Sequence, residues 1–163
     1  MVFPDNDDWK KYEWEGGCED LHVVEGPDGV YYMNYTTWSG TSDTMSIGLA
    51  TLRLDRFAGL GNWRSRRVGT VVTRPVTATH PHLDVNVELL EATPLQVAVV
   101  DADGTPLPGF GFDECQMNYD PRQVYTRVRW KQHTDLASLQ GQPIRLSFRV
   151  ATALLYSYRF SPT

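Results

Sequence analysis

The chain has 163 residues, a formal net charge of −5 and an apolar content of 41%. This length suits one domain with a short extra unit, and the composition is typical of a globular protein rather than a disordered one. The apolar runs are only a few residues long, and ten of the twenty acidic side chains lie in residues 1–45, which argues against a membrane or a nucleic acid as a partner.

The N-terminal segment predicts a β-hairpin. The chain starts Met-Val-Phe-Pro-Asp, which lacks the basic and apolar regions of a secretory signal. Farther on, HVVEG and VYYMNYT flank a Pro27-Asp28-Gly29 turn, a pattern typical of two strands joined by a tight turn. Because an isolated hairpin is marginally stable in water, we expect it to join the edge of a sandwich sheet or to pair with a second copy in a homodimer.

Two carboxylates and a histidine lie at the start of this hairpin, at Glu19, Asp20 and His22. Acid–base glycoside chemistry needs two carboxylates that face one sugar across a gap of about 5 to 10 Å. Glu19 and Asp20 are adjacent, so on a strand their side chains point to opposite faces and a second strand would have to supply the partner. The three residues are therefore only weak catalytic candidates, and structural or solvated roles are favoured.

The second strand of the hairpin carries a row of aromatic residues. Alternation places Tyr32, Asn34 and Trp38 on one face and Tyr31 and Tyr35 on the other. Aromatic rings pack against the apolar C–H faces of sugars, while amides and carboxylates bind the hydroxyl groups. Tyr32, Asn34 and Trp38 are therefore predicted to bind a ligand, and Trp38→Ala should weaken glycan binding. Core packing is the alternative, since aromatic residues also favour strands.

Period-two alternation of apolar and polar residues dominates the rest of the chain. This pattern indicates antiparallel sheets with one buried and one solvated face. We predict an all-β fold, with an N-terminal hairpin segment in residues 1–45 and an antiparallel, jelly-roll-like β-sandwich of about eight strands in residues 46–163. The strands are predicted in SIGLATLRL, VGTVVTRPV, LDVNVELL, VYTRVRW, IRLSFRV and LLYSYRF, and LQVAVVDADGTPLPGFGF is predicted to contain a strand, a turn and a second extended piece. The predicted core contains Leu83, Val85, Val87, Val97, Val99, Val128, Trp130, Leu146, Phe148 and Tyr158.

Short polar stretches predict turns between these strands. Asp103-Gly104 indicates a tight turn after LQVAVV, and residues 134–139 indicate a single helical turn. DADG has part of the composition of a calcium loop but lacks its further oxygen ligands, so we expect a turn, with no metal and no cofactor. Cys18 and Cys115 have no metal-ligand spacing and are expected to be separate thiols.

Five arginines fall on outward positions of three late strands. If those strands are neighbours, the arginines form a basic patch suited to carboxylate or sulfate groups. Two of them, Arg127 and Arg129, are therefore further candidate ligand-binding residues. The alternative is a solvated sheet face whose charges protect a sheet edge. The five are Arg127, Arg129, Arg145, Arg149 and Arg159.

The order of several motifs resembles that of a β-sandwich domain near the C-terminal end of many bacterial proteins classed as glycoside hydrolases. The resemblance spans roughly residues 46 to 160. It rests on IGLATLRLDRFAGL, TVVTRPV, LQVAVVDADGTPLPGF, VRWK and IRLSFRVATALLYSYRF. It implies a carbohydrate-related role and an extracytoplasmic location.

The hairpin resembles a different part of the same proteins. In that family the sandwich usually follows a five-bladed β-propeller catalytic domain, and GCEDLHVVEGPDGVYYMNYTTW is similar to one hairpin of such a propeller. Leu21 and His22 stand where the family has Pro and Arg. One hairpin without the other blades does not imply a working propeller active site.

Three functional hypotheses follow from these patterns. The first is a non-catalytic β-sandwich module that binds carbohydrate or supports a glycoside hydrolase. The second is a fragment or reduced form of a glycoside hydrolase that uses Glu19, Asp20 and His22. The third is a small self-associating β-sandwich protein. We rank them in this order, because a resemblance in fold does not by itself establish function.

Overall fold

The structure, a computed structural model, describes residues 19–39, 44–61, 67–91 and 95–163. The predicted all-β, antiparallel fold is confirmed. In the described part of the chain no helix is long and apolar enough to span a membrane. The chain forms two compact units, Met1–Phe57 and Ala58–Thr163, whereas the division predicted from the sequence lay between residues 45 and 46.

The first unit contains an antiparallel sheet of three strands in the order β1-β2-β3. Its strands are β1 (Glu19–Glu25), β2 (Val30–Ser39) and β3 (Thr44–Arg53). Gly26 N–H donates to the Val30 carbonyl at 2.8 Å, and Gly29 has a positive φ of 71°, a conformation that glycine adopts without strain. The hairpin predicted around Pro27-Asp28-Gly29 is therefore confirmed.

The third strand corrects two predictions. SIGLATLRL was assigned to the sandwich, but β3 pairs with β2 along its whole length, from Ser39 opposite Thr44 to Val30 opposite Arg53. The hairpin was expected to join a sandwich sheet edge or to pair with a second copy; in the described residues its sheet partner is β3, and pairing with a second copy stays a prediction. Alternation reveals a strand but not its partner, and strands that follow one another in sequence usually pair.

The second unit contains two antiparallel sheets. One has the order β4-β12-β7-β10-β9. In the other, β11 pairs with β5 and β6 along one edge and with β8 along the opposite edge. The strands are β4 (Leu60–Gly61), β5 (Gly69–Val72), β6 (Val76–Thr77), β7 (His82–Leu89), β8 (Gln96–Val100), β9 (Cys115–Met117), β10 (Thr126–Trp130), β11 (Pro143–Val150) and β12 (Ala153–Ser161).

Strands β5 and β6 are two parts of one interrupted strand. Between them, Thr73 N–H donates to the Leu146 carbonyl at 2.9 Å, and Leu146 N–H donates to Thr73 Oγ1 at 3.0 Å. The threonine hydroxyl thus accepts a hydrogen bond that a main-chain carbonyl would accept in a regular strand pair. Pro75 follows two residues later and has no N–H to donate to the ladder. With β5 and β6 counted together, β4 to β12 amount to about eight strands. The chain passes repeatedly from one sheet to the other, as in the predicted jelly-roll-like sandwich.

The core lies between these two sheets, and its predicted members are buried with one exception. Tyr158 is only half-buried, and its ring packs against Phe148 with the ring centroids 5.7 Å apart. Trp130 Nε1 donates to the Val97 carbonyl at 3.0 Å, so its buried polar atom is satisfied. This bond joins β10 of one sheet to β8 of the other.

The predicted turns are also confirmed. Asp101 Oδ1 accepts N–H groups from Asp103 and Thr105, both at 2.9 Å, and Gly104 has a φ of 85°. The carboxylate of DADG therefore holds a turn together. In the part of the chain that is described, no group of three or more His, Cys, Asp or Glu residues is placed to hold a metal ion. A short 3-10 turn spans Ala137–Leu139, inside the segment predicted to be helical.

Candidate functional site

The outward face of the five-stranded sheet carries a row of charged side chains on three neighbouring strands. The main-chain register places Asp84 on β7 directly opposite Arg127 on β10 and Arg159 on β12. Arg127 Nε lies 2.7 Å from Asp84 Oδ1, and Arg159 Nε lies 3.5 Å from Asp84 Oδ2. One carboxylate is thus held between two guanidinium groups.

Asp84 is only 4% exposed, although it lies on the face predicted to be solvated. Burial raises the pKa of Asp84, but hydrogen bonds from Arg127 and Ser161 and the charges of Arg127 and Arg159 outweigh it and hold the pKa below its ordinary value. Asp84 is therefore a carboxylate at neutral pH. Arg127 Nη2 also donates to Ser161 Oγ at 3.1 Å and to the main-chain oxygen of Thr163 at 2.6 Å, so its position is fixed from several sides.

A second link crosses the same face next to this row. The Tyr125 hydroxyl lies 3.3 Å from Ser157 Oγ, and Ser157 is the β12 partner of Asn86. Because Tyr125 and Ser157 lie on opposite sides of β7, this contact passes over the central strand, where Asn86 is 0% exposed. The outward face of β7 is therefore covered by side chains from both neighbouring strands.

The outermost layer consists of Arg159 and Tyr125. The Arg159 guanidinium carbon lies 3.9 Å from the centre of the Tyr125 ring, within the range of a cation–π contact. The Arg159 side chain is 54% exposed. Arg159 is thus oriented by Tyr125 and Asp84 and still reaches solvent. We call Asp84, Asn86, Tyr125, Arg127 and Arg159 the β7 platform.

Two further groups border the β7 platform. The Tyr156 hydroxyl donates to Glu88 Oε2 at 2.8 Å, which places an aromatic ring and a carboxylate at one end of the same face. Arg129 follows Arg127 by two residues on β10, shares its face and is exposed. The β7 platform and the residues at its border therefore combine fixed polar groups, aromatic rings and exposed positive charge.

The five outward arginines of the late strands do not lie on one sheet. Arg127, Arg129 and Arg159 belong to the five-stranded sheet, but Arg145 and Arg149 lie on β11 of the other sheet. The condition for a single basic patch, that the three strands are neighbours, is therefore not met. Alternation does not show which strands pair. Arg149 stacks on Phe112 with its guanidinium carbon 3.8 Å from the ring centre.

The candidate site residues of the N-terminal hairpin lie on the three-stranded sheet. Tyr32 and Asn34 are exposed on one face of β2, and His22 is exposed opposite Asn34 on β1. The Tyr32 hydroxyl donates to Asp28 Oδ2 at 2.8 Å, and this hydrogen bond raises the pKa of Tyr32. Tyr32 and Asn34 thus share an accessible face, as the sequence predicted.

The other hairpin candidates are placed only by their main chain. Trp38 lies on β2, and Glu19 and Asp20 lie on β1, but their side chains fall outside the described residues. The ligand-binding role of Trp38 and the catalytic roles considered for Glu19 and Asp20 therefore stay predictions.

Of the two cysteines, the structure describes Cys115. It is a free, half-buried thiol whose Sγ accepts the Val97 N–H at 3.3 Å. Burial raises the pKa of Cys115, so the thiolate form is disfavoured. Cys18 lies outside the described residues.

Sequence reasoning missed most of the β7 platform. Alternation in LDVNVELL assigns Asp84 and Asn86 to the solvated face, Arg159 enters the prediction only as one of five outward arginines, and no pattern assigns a functional role to Tyr125. The sequence does contain a signal for this site. The outward residues of one strand are short and polar, and the outward residues of two other strands are long Arg and Tyr side chains that can cover them. Using it requires knowing that β10 and β12 flank β7, which depends on the fold.

No protein-family model matches the chain, and neither a curated protein nor a solved structure matches it at a significant level. The resemblance to sandwich domains of glycoside hydrolases therefore stays a prediction.

Proposed function

We propose that the protein is a non-catalytic carbohydrate-binding or accessory β-sandwich module, with the β7 platform as its glycan-binding surface. The observation that supports this proposal is the arrangement of Asp84 between Arg127 and Arg159, with the outer arginine stacked on Tyr125. Arg159 presents its donors to a glycan, while Asp84 and Tyr125 hold it in place.

The chemistry of sugars suits such a surface. Sugar hydroxyls need hydrogen-bonding groups in fixed positions, and their C–H faces need nearby apolar or aromatic surface. Arg159 is already oriented by its contacts with Asp84 and Tyr125, so binding a ligand costs little side-chain entropy. Because Arg159 and Arg129 are both exposed on this face, acidic glycans should bind better than neutral ones.

The free-energy cost of burying Asp84 also favours a functional role for this residue over a purely stabilising one. Burial of a carboxylate such as Asp84 carries a desolvation cost that its ion pairs only partly offset, and an apolar residue often gives equal or greater stability. An outward position on a sheet does not require a charged residue at all. The selection of Asp84 at this position is better explained by the need to orient Arg127 and Arg159 toward a ligand.

A glycan array with neutral, uronate-containing and sulfated oligosaccharides tests the proposal. The intact chain should bind a subset of the acidic glycans, and Arg159→Ala should lose most of that binding. Arg149→Ala is a matched control, because Arg149 is also an exposed arginine stacked on an aromatic ring, but on the other sheet. Equal loss in both variants would argue against a specific surface.

The hydrolase hypothesis is a separate alternative. It requires Glu19, Asp20 and His22 to act with a second carboxylate across a sugar. His22 is exposed on the three-stranded sheet. A hydrolysis screen on the glycans that bind should show no turnover under the proposed function, and turnover that is lost in Glu19→Gln would favour the hydrolase instead.

The exposed apolar side chains of the first unit favour a second candidate function, self-association. Ile47 and Leu49 on β3 are 83% and 63% exposed, and the register places them on the same face as Tyr32 and Val24. Contiguous exposed apolar side chains of this size commonly mark an interaction surface. A second copy of the chain, presenting the same face across a two-fold axis, would cover them.

A further inference from the structure

A cavity of about 280 Å³ lies on the side of the sandwich where each sheet ends in a short strand. These edge strands are β4, with two residues, and β5, with four. Strand β4 pairs with β12 only at Leu154 and Leu155, and β12 bulges before it reaches Ser157. The cavity opens between β5 and this part of β12. Its described lining residues are Leu60, Val71, Thr73, Phe148, Leu155, Tyr156, Ser157 and Tyr158.

The register shows that most of this lining faces the inside of the sandwich. Val71 lies directly opposite Phe148, which is buried in the core, and residues directly opposite each other share a face of the sheet. Leu60 lies opposite the buried Leu155 in the same way. Val71 and Tyr158 are nevertheless only half-buried, although both pack against the core. The cavity beside them accounts for this incomplete burial.

The chemistry of the lining limits the class of ligand. None of the lining residues that the structure describes is charged, so an ion that left water for this cavity would find no opposite charge. The rings of Phe148, Tyr156 and Tyr158 all line the cavity. Aromatic rings pack favourably against one another in offset or edge-to-face arrangements. The lining therefore favours a neutral aromatic ligand.

The hydroxyl groups of the lining are largely satisfied within the protein. The Tyr156 hydroxyl donates to Glu88 Oε2 at 2.8 Å, and Thr73 Oγ1 accepts a main-chain N–H of β11 at 3.0 Å. Ser157 Oγ lies 3.3 Å from the Tyr125 hydroxyl. Because these groups already have partners, a ligand does not have to supply hydrogen bonds to them.

We propose that this cavity binds a neutral two-ring aromatic molecule. A cavity of about 150 Å³ can hold benzene, so the volume of about 280 Å³ suits two fused rings. The rings lie against Val71 and Phe148 of one sheet and against Leu155 and Tyr158 of the other. Because these residues face inward and the β7 platform faces outward, the proposal does not depend on glycan binding.

2-Naphthol and 2-naphthoate form a matched pair of probes, because they share two fused rings and only the second is charged at neutral pH. In an NMR titration of the full chain, 2-naphthol should shift the amide signals of Val71, Phe148 and Tyr158 in a saturable way. 2-Naphthoate should bind at least about tenfold more weakly, because its charge loses hydration without gaining a partner. This comparison uses the unaltered chain and requires no variant to fold.

Val71→Phe adds a ring to the wall of the cavity and should weaken 2-naphthol binding by at least about tenfold. Val72→Phe is the matched control, because Val72 is the next residue of β5, is 47% exposed and lies on the opposite face of the strand. Binding in this control should be unchanged. Absence of saturable shifts with 2-naphthol, equal affinity for 2-naphthoate, or unchanged binding in Val71→Phe would each overturn the proposal.

Discussion

Asp84 and Arg127 form a direct ion pair across neighbouring strands, with Arg127 Nε 2.7 Å from Asp84 Oδ1. The Asp84 side chain is 6% exposed and the Arg127 side chain 27% exposed. Removal of the carboxylate charge leaves a largely buried guanidinium without its partner. Asp84→Asn should therefore lower the free energy of unfolding by about 2–3 kcal/mol, measured by urea denaturation at neutral pH.

An exposed ion pair in the same unit provides the control for this variant. Arg122 Nε lies 3.1 Å from Asp120 Oδ1, but the Arg122 side chain is 89% exposed. Solvent screens such a pair, so Arg122→Gln should change the free energy of unfolding by less than about 1 kcal/mol. If the two variants destabilise the protein equally, the buried Asp84–Arg127 ion pair contributes no more to stability than an exposed one.

The same ion pair predicts how stability depends on pH. The pKa of Asp84 in the folded protein lies below its ordinary value of 3.8, so the unfolded state takes up a proton first as the pH falls. The contribution of the Asp84 carboxylate to stability is complete at a pH above its ordinary pKa. It is lost as the pH falls through the pKa that Asp84 has in the folded protein. The difference in unfolding free energy between the wild type and Asp84→Asn should thus stay constant from neutral pH down to the region of the ordinary value of 3.8 and shrink as the pH falls below it. A difference that does not shrink below that value would contradict this assignment.

The core of the sandwich predicts a larger effect. Phe148 is 1% exposed and packs against Tyr158, so Phe148→Ala leaves a cavity and should cost about 3–5 kcal/mol in the free energy of unfolding. Leu90→Ala is the control, because Leu90 is exposed in the same unit and should change stability by less than about 1 kcal/mol. A wild-type melting temperature for Phe148→Ala would show that the buried face is assigned wrongly.

The three-stranded sheet predicts concentration-dependent association. If a second copy covers Ile47 and Leu49, the double variant Ile47→Lys, Leu49→Lys should sediment as a monomer at concentrations where the wild type does not. Val23→Lys is a matched control, since Val23 is an exposed apolar residue of the same sheet paired with Met33 on its other face. A wild type that remains monomeric at all concentrations, up to about 1 mM, would exclude self-association.

The sequence predicted the buried face of each sandwich strand better than the partners of the strands. Leu83, Val85 and Val87 were assigned correctly to the core because alternation depends only on local geometry. The partner of β3 and the separation of Arg145 from Arg127 could not be obtained this way, because they depend on which strands are neighbours.

The candidate site was less predictable for the same reason. Arg127 was named from the sequence, but its partner Asp84 lies 43 residues away in the chain, and the register between β7 and β10 brings them together. Asp84 itself looked like any polar residue on a solvated face. Its burial arises from the long side chains of Tyr125, Arg127 and Arg159, which no local pattern reveals.

An NMR titration of the full chain with tri-galacturonate, compared with neutral cellotriose, tests glycan binding at the β7 platform most directly. We expect saturable shifts for tri-galacturonate at the amides of Asp84 and Asn86 and at the Nε–H of Arg159. These shifts should disappear in Arg159→Ala and persist in Arg149→Ala. Shifts confined to Tyr32 and Asn34, or no saturable shift with either sugar, would contradict the claim that this face binds carbohydrate.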